Sequence, residues 1–373
     1  MARAGKRRVR YVGEVTTLLG AHVGQQNFEI DEMRELWRWL DANGFDWISA
    51  WDHLYEAPPA GGTVPHFEAV ATLAAMATDT TNARLGCLVF YVGYRNPGLL
   101  AKAAITIDHL AGGRFELGIG GGWHEWEAAA YGYDFPPVGK RLDMLDEAAR
   151  LIGPLINATR FADLQSGGEP GGEPVGGATM AGGDGGEPTR TSFSGEYFRL
   201  EDASCLPPPL YGTMPLWIGG VGEKRTLPMA ARYADGWNAA YVSAEQFRHL
   251  GSVLSARCED IGRPPDDIER SVNLVFAMGA DQAGAERVSA ELVEQWGPMV
   301  ERIRGGALTG TPEQAVDQVM AYVDAGADMV NVALRAPFDQ EALDGYREVV
   351  MPQVRADAGP KRPEGGSNEP PSD

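Results

Sequence analysis

Asp52-His53 stands directly beyond an apolar run, Phe45 to Trp51. An imidazole in such a place can give or take a proton near neutral pH, and the adjacent carboxylate can accept hydrogen bonds from ring N–H groups of a bound molecule. Position alone fits a turn pair that holds the loop equally well. A second candidate is Gly219-Gly220-Val221-Gly222-Glu223-Lys224-Arg225, which follows the apolar run Leu216 to Ile218. Successive N–H groups of a glycine-rich turn, aimed from a strand end at a helix N-terminus, form an anion nest, and Lys224 and Arg225 add positive charge. The loop therefore reads as a phosphate anchor; the competing reading is a bare turn.

A third stretch, Phe115 to Ile119, breaks into Gly120-Gly121-Gly122 ahead of Trp123-His124-Glu125-Trp126-Glu127. Glycine leaves a strand with unrestricted φ and no side chain, so such a run marks a close approach to the main chain. A flexible strand-to-helix link is the alternative. The run is no dinucleotide-binding fingerprint, because Trp123 stands where Gly-x-Gly-x-x-Gly needs its third glycine. Tyr91 closes another apolar run, and its ring can stack on a flat molecule or simply pack the interior. Glu14, buried by pattern, needs a partner or a function. Trp51, Trp123 and Trp126 offer flat apolar surface. His22, His66 and His124 lack metal-ligand spacing, so no metal is expected.

Eight strands are needed to position these groups. The apolar runs are Val9 to Val12, Phe45 to Trp51, Arg84 to Phe90, Phe115 to Ile119, Leu216 to Ile218, Asp235 to Asn238, Ser271 to Met278 and Met329 to Leu334. A polar loop through Gln25 and Gln26 follows the first. Helical periodicity falls between them, over Glu29 to Asn43, Phe67 to Thr78, the segment opened by Pro97, Val138 to Ile156, a segment ending at Tyr233, Ala244 to Ile261, and a helix from Thr311-Pro312 to Gly326. This alternation predicts an α/β fold, a (β/α)8 TIM barrel spanning 9–356, with its chemistry at the strand C-terminal ends. Residues 161–192 repeat Gly-Gly-Glu-Pro and read as a disordered Gly/Glu/Pro-rich insertion. Residues 1–8 and 357–373 read as disordered ends.

The 373 residues carry a net charge of −20, which argues against nucleic-acid binding. Three cysteines, Cys87, Cys205 and Cys258, suit buried thiols in a reducing compartment. With no signal-peptide pattern and no apolar run long enough to span a bilayer, the expectation is a cytoplasmic protein without a membrane partner.

The ordered series Trp51-Asp52-His53, Tyr94-Arg95-Asn96-Pro97 with Leu100-Ala101-Lys102, Asp108 to Arg114, Gly120 to Glu125 with Tyr131-Gly132, Trp217-Ile218-Gly219-Gly220 and Ala234 to Asn238 resembles the bacterial luciferase-like monooxygenase superfamily, in its branch using the deazaflavin coenzyme F420. The resemblance covers about residues 9 to 350. It implies a TIM barrel with the deazaflavin across the strand C-termini, and a hydride exchanged with a small-molecule substrate. By the same resemblance His53 is the proton relay, while Asp52, Tyr91, Gly121 and Gly122 contact the cofactor and Gly220, Val221, Gly222 and Arg225 hold its phosphate. A non-prolyl cis peptide is expected within Phe90–Tyr91–Val92, and a homodimer is compatible with the family. One departure stands out: the sugar-phosphate dehydrogenases of this branch carry a catalytic Glu where this chain has Trp123, which points to a flatter, more apolar substrate. A reduced-FMN-dependent monooxygenase on the same barrel is the main rival reading, and a non-catalytic flavin-binding protein is another.

Overall fold

The computed structural model describes residues 17–56, 61–158, 160–161, 179–181 and 190–359. Eight parallel strands close into a barrel: β1 (Leu18–Val23), β2 (Trp47–Ala50), β3 (Arg84–Cys87), β5 (Phe115–Gly120), β9 (Leu216–Gly219), β10 (Gly236–Ala240), β11 (Glu269–Met278) and β13 (Met329–Leu334). Closure is made where β13 pairs with β1 and with β11, and where β10 pairs with β11. Two short strands lie beside this ring. β4 (Phe90–Tyr91) continues β3 against β5, and β12 (Ala307–Gly310) pairs with the end of β11.

Helices pack outside, as parallel strands joined by crossovers require. α1 (Ile30–Ala42) buries Met33, Leu36, Trp37 and Leu40, the apolar stripe of its 3.6-residue period. α3 (Pro97–Leu110) begins with proline in its first turn, and the Asn96 side chain accepts the Gly98 N–H. α2 (Ala69–Asp79) packs between α1 and α3, while α5 (Val138–Ile156) and the short α4 (Glu125–Ala130) flank the glycine run. No helix among the described residues is long and apolar enough to cross a membrane.

The barrel base is tied by charge. Arg84 at the start of β3 reaches Glu116 on β5 at 2.6 Å and Glu269 on β11 at 2.8 Å, and the indole N–H of Trp217 on β9 also donates to Glu116. Such a buried cation is tolerable because two carboxylates face it.

Several expectations need correction. The expected first strand, Val9 to Val12, and Glu14 lie outside the described residues, as do 1–8. The first strand observed is Leu18–Val23, in the stretch read as a polar loop. Its pattern is disguised because Gly20 and His22 occupy it; a Cβ on Gly20 would lie 2.1 Å from Asn331 Oδ1 in the barrel. The third strand is split by a non-prolyl cis bond at Leu88–Val89, not within Phe90–Tyr91–Val92. The insertion is ordered in part. Thr179–Ala181 (β6), Arg190–Ser194 (β7) and Arg199–Ser204 (β8) form a three-stranded antiparallel sheet, and Phe193 and Thr191 are buried. Alternation in Thr191-Ser192-Phe193 carries that strand despite the polar composition around it. The rest of 161–192, apart from Phe161 at the end of a helical segment, lies outside the described residues. At the other end, the helix Met351–Ala358 covers the first residues assigned to a tail. Residues 360–373 are not described.

Candidate active site

All eight barrel strands run the same way, so their C-terminal ends share one face. Beyond β2, the backbone of Trp51 is held at both polar atoms by Gln25. The Gln25 amide donates to the Trp51 carbonyl at 2.8 Å, and the Trp51 N–H donates to Gln25 Oε1 at 3.1 Å. This clamp aims the next two residues. Asp52 is buried; its Oδ2 accepts from the Tyr91 N–H at 3.1 Å and from Arg95 at 2.6 Å, and Arg95 also pairs with Glu68 at 2.7 Å. Burial pushes the Asp52 carboxyl up to about 6, and Arg95 and the Tyr91 N–H limit the rise. Its Oδ1 is buried with no hydrogen-bond partner among the described residues.

His53 Nδ1 lies 2.7 Å from Glu127 Oε1 on α4. The other oxygen of Glu127 accepts the N–H groups of Leu54 at 2.9 Å and Tyr55 at 3.3 Å. Burial raises the Glu127 pKa, but the His53 contact and the Leu54 N–H outweigh it and hold the carboxyl below its ordinary value. The ring of Trp123 meets His53 edge-on at 5.2 Å, and that of His124 at 5.7 Å. Two further imidazoles line the same region. His22 donates or accepts with Ser49 at 2.8 Å, and His66 Nε2 receives the Trp51 indole N–H at 3.0 Å. Burial drives His22 down to about 3 and His66 down to about 4, and it lowers His124 as well. Arg335 stacks on Trp296 at 4.5 Å and over Trp51 at 5.4 Å, closing the opposite wall.

The glycine run does receive close approaches, and they come from the chain's own side chains. A Cβ on Gly120 would sit 2.3 Å from Val89 Cγ2, and one on Gly122, whose φ is +67°, would sit 2.5 Å from the Tyr91 ring. Gly121 is held from its carbonyl by Arg141 at 3.1 Å. The Tyr91 hydroxyl is buried without a hydrogen-bond partner among the described residues, and burial raises its pKa, so it stays a phenol. Asp52, His53, Tyr91, Gly121 and Gly122 are therefore assembled into one surface.

The 219–225 loop joins this surface through Val89, whose Cγ1 would lie 2.7 Å from a Cβ on Gly219. Gly220 has φ +129°; its N–H donates to Asn238 at 3.0 Å and its carbonyl accepts from the Trp237 indole at 2.8 Å. That N–H is thus engaged by the fold rather than turned outward. Val221 and Arg225 are exposed, and Arg225 pairs with Asp143 at 2.6 Å. A helix, Thr226–Tyr233, begins directly after.

Glu127, Arg95, Gln25 and Arg141 are the residues to which sequence reading gave no role. Arg95 and Glu127 sat inside quoted motifs, but their partners are 43 and 74 residues away and spacing does not reveal such pairs.

A family model described as luciferase-like monooxygenase matches residues 14–329. The F420-dependent glucose-6-phosphate dehydrogenase of Nocardia farcinica is 25% identical, over 91% of this chain and 98% of its own. The enzyme of the same name from Intrasporangium calvum is 26% identical, over 84% of this chain and 91% of its own. Among solved structures, an F420-dependent secondary alcohol dehydrogenase in complex with an F420–acetone adduct superposes with a TM-score of 0.73 at 18% identity, covering 91% of this chain and 99% of that one.

Proposed function

The chain belongs to the luciferase-like monooxygenase family, and from that premise we propose that it is a coenzyme F420-dependent oxidoreductase acting on a small organic substrate. The observation that carries this reading is the near full-length match to curated relatives named for F420 dependence. The barrel mouth supports it. A planar, polyanionic cofactor needs ring-facing acceptors and donors, and the buried Asp52 Oδ1 and Tyr91 hydroxyl have no other hydrogen-bond partner among the described residues. Gly121 and Gly122 bring backbone to the same surface, and the loop through Val221, Gly222 and Arg225 is the candidate phosphate end, the Gly220 N–H being already taken by Asn238.

When bound, the deazaflavin supplies hydride chemistry at its C5 carbon. The protein's share is positional and protonic. Asp52 is held in place by Arg95 and the Tyr91 N–H. Tyr91 offers a phenol O–H. His53, at the rim beside Trp123, gives or takes the substrate proton. The exposed indoles of Trp123 and Trp126 and the ring of Tyr131 form an apolar rim, which favours a flat, weakly polar substrate over a sugar phosphate.

The test is a fluorescence titration of the purified protein with coenzyme F420 and, separately, with FMN. Micromolar binding of F420 with weak FMN binding supports the reading. The reverse preference transfers the protein to the flavin-dependent monooxygenases, with oxygen as co-substrate. Binding of neither overturns the phosphate loop and the cofactor assignment together.

A further inference from the structure

The geometry points to Glu127 as the positioning residue of the proton step: its carboxylate fixes the His53 ring through Nδ1 and leaves Nε2 for the substrate. This rests on the reading of His53 as the proton-handling group, and it adds the residue that sets which nitrogen does the work.

Three observations carry it. Glu127 is itself immobilised, being buried, with Oε2 taken by the Leu54 and Tyr55 N–H groups and Oε1 left at 2.7 Å from His53 Nδ1. An ionised carboxylate only accepts, so Nδ1 is the protonated nitrogen of the neutral ring and Nε2 keeps its lone pair. Next, among the described residues His53 is the one mouth imidazole hydrogen-bonded to a carboxylate. His22 meets Ser49, His66 meets the Trp51 indole and His124 meets the backbone N–H of Glu127, and all three are held toward the neutral form, chiefly by burial. Finally, α4 begins three residues after Gly122, so the same short segment that supplies the glycine turn also supplies the orienting carboxylate.

The groups facing this pair come from every neighbouring element. His22 stands on β1, and Asp52 and Glu56 on the loop after β2. His66 precedes α2 and Tyr94 follows β4, where burial and then the Glu127 charge hold its phenol well above the usual range. His124 caps α4, and Arg335 follows β13. Glu127 is the carboxylate among them that bonds an imidazole.

The experiment uses full-length protein with 15N-labelled histidine. In the cofactor-free wild type at a pH where His53 is neutral, its proton should reside on Nδ1. In Glu127→Gln the tautomer population should move toward Nε2–H. Turnover with F420 should fall by up to about 10⁴-fold, the loss seen when the orienting carboxylate of a catalytic His pair is replaced by its amide. F420 affinity should stay within about two-fold while kcat, not KM, carries the loss, and Glu127→Asp should recover part of it. A wild-type ring protonated on Nε2, or a tautomer unchanged in Glu127→Gln, overturns the proposal. The wild-type spectrum decides alone if the variant does not fold. A tautomer shift in Glu127→Gln combined with full turnover in His53→Ala would remove His53 from the chemistry and, with it, Glu127 from the proton step.

Discussion

His22 is buried against Ser49, and burial, followed by the charge of Arg335, takes it from 6.5 down to about 3. The unfolded chain binds a proton there at the ordinary pKa and the folded chain does not. Folding stability from His22 is therefore complete above 6.5 and is lost as pH falls from there toward about 3. His66, lowered to about 4 by burial first, acts in the same direction. Denaturant unfolding across that window should show stability dropping with pH in the wild type and a shallower drop in His22→Asn; equal slopes would show that His22 already titrates normally. At this scale the position of Asp52, His53 and Tyr91 at strand ends could be read from the sequence. It was silent on Glu127, whose role exists only because α4 folds back over the loop after β2. The glycines were half legible. A close approach was rightly expected, but a run of glycines cannot say that Val89 and Tyr91 make it.

Among the elements, strands with continuous apolar runs were readable, while those whose buried positions are glycine or polar were not, and β1 is the clearest case. The helix Gln282–Trp296 escaped notice for a related reason: it buries only Gly284, Ala285 and Trp296, which leaves no apolar stripe. The sheet containing β7 and β8 was hidden by the low-complexity sequence around it. Its anchor is Phe193, fully buried, with the guanidinium of Arg150 5.4 Å from its ring centre. Glu147 on α5 reinforces the docking by accepting the N–H groups of Glu196, Tyr197 and Phe198 at 2.7, 3.0 and 3.1 Å. Phe193→Ala should cost about 3–5 kcal/mol, as removal of a buried aromatic does. A loss under about 1 kcal/mol in denaturant melts would show that this sheet is an appendage rather than part of the folded unit.

For the molecule as a whole, alternating strand and helix patterns pointed to the barrel, although the first strand described is Leu18–Val23 rather than the run Val9 to Val12. What they left out is the interior of the base. Arg84 bridges Glu116 and Glu269 from strands on opposite sides of the ring, and Trp47 lies under its guanidinium. Arg84→Met should destabilise the protein by about 3–5 kcal/mol, since it strands the buried carboxylate of Glu116 and the half-buried one of Glu269; a melt unchanged by the substitution would mean that water or rearrangement compensates. At the opposite end, the two methyl groups of Val89 fill the space between Gly120 and Gly219. One isopropyl group is thus a shim that sets the gap between the two glycine turns. Residue 89 cannot be enlarged without spreading the two turns together, so the spacing of both glycine loops is carried by a single side chain.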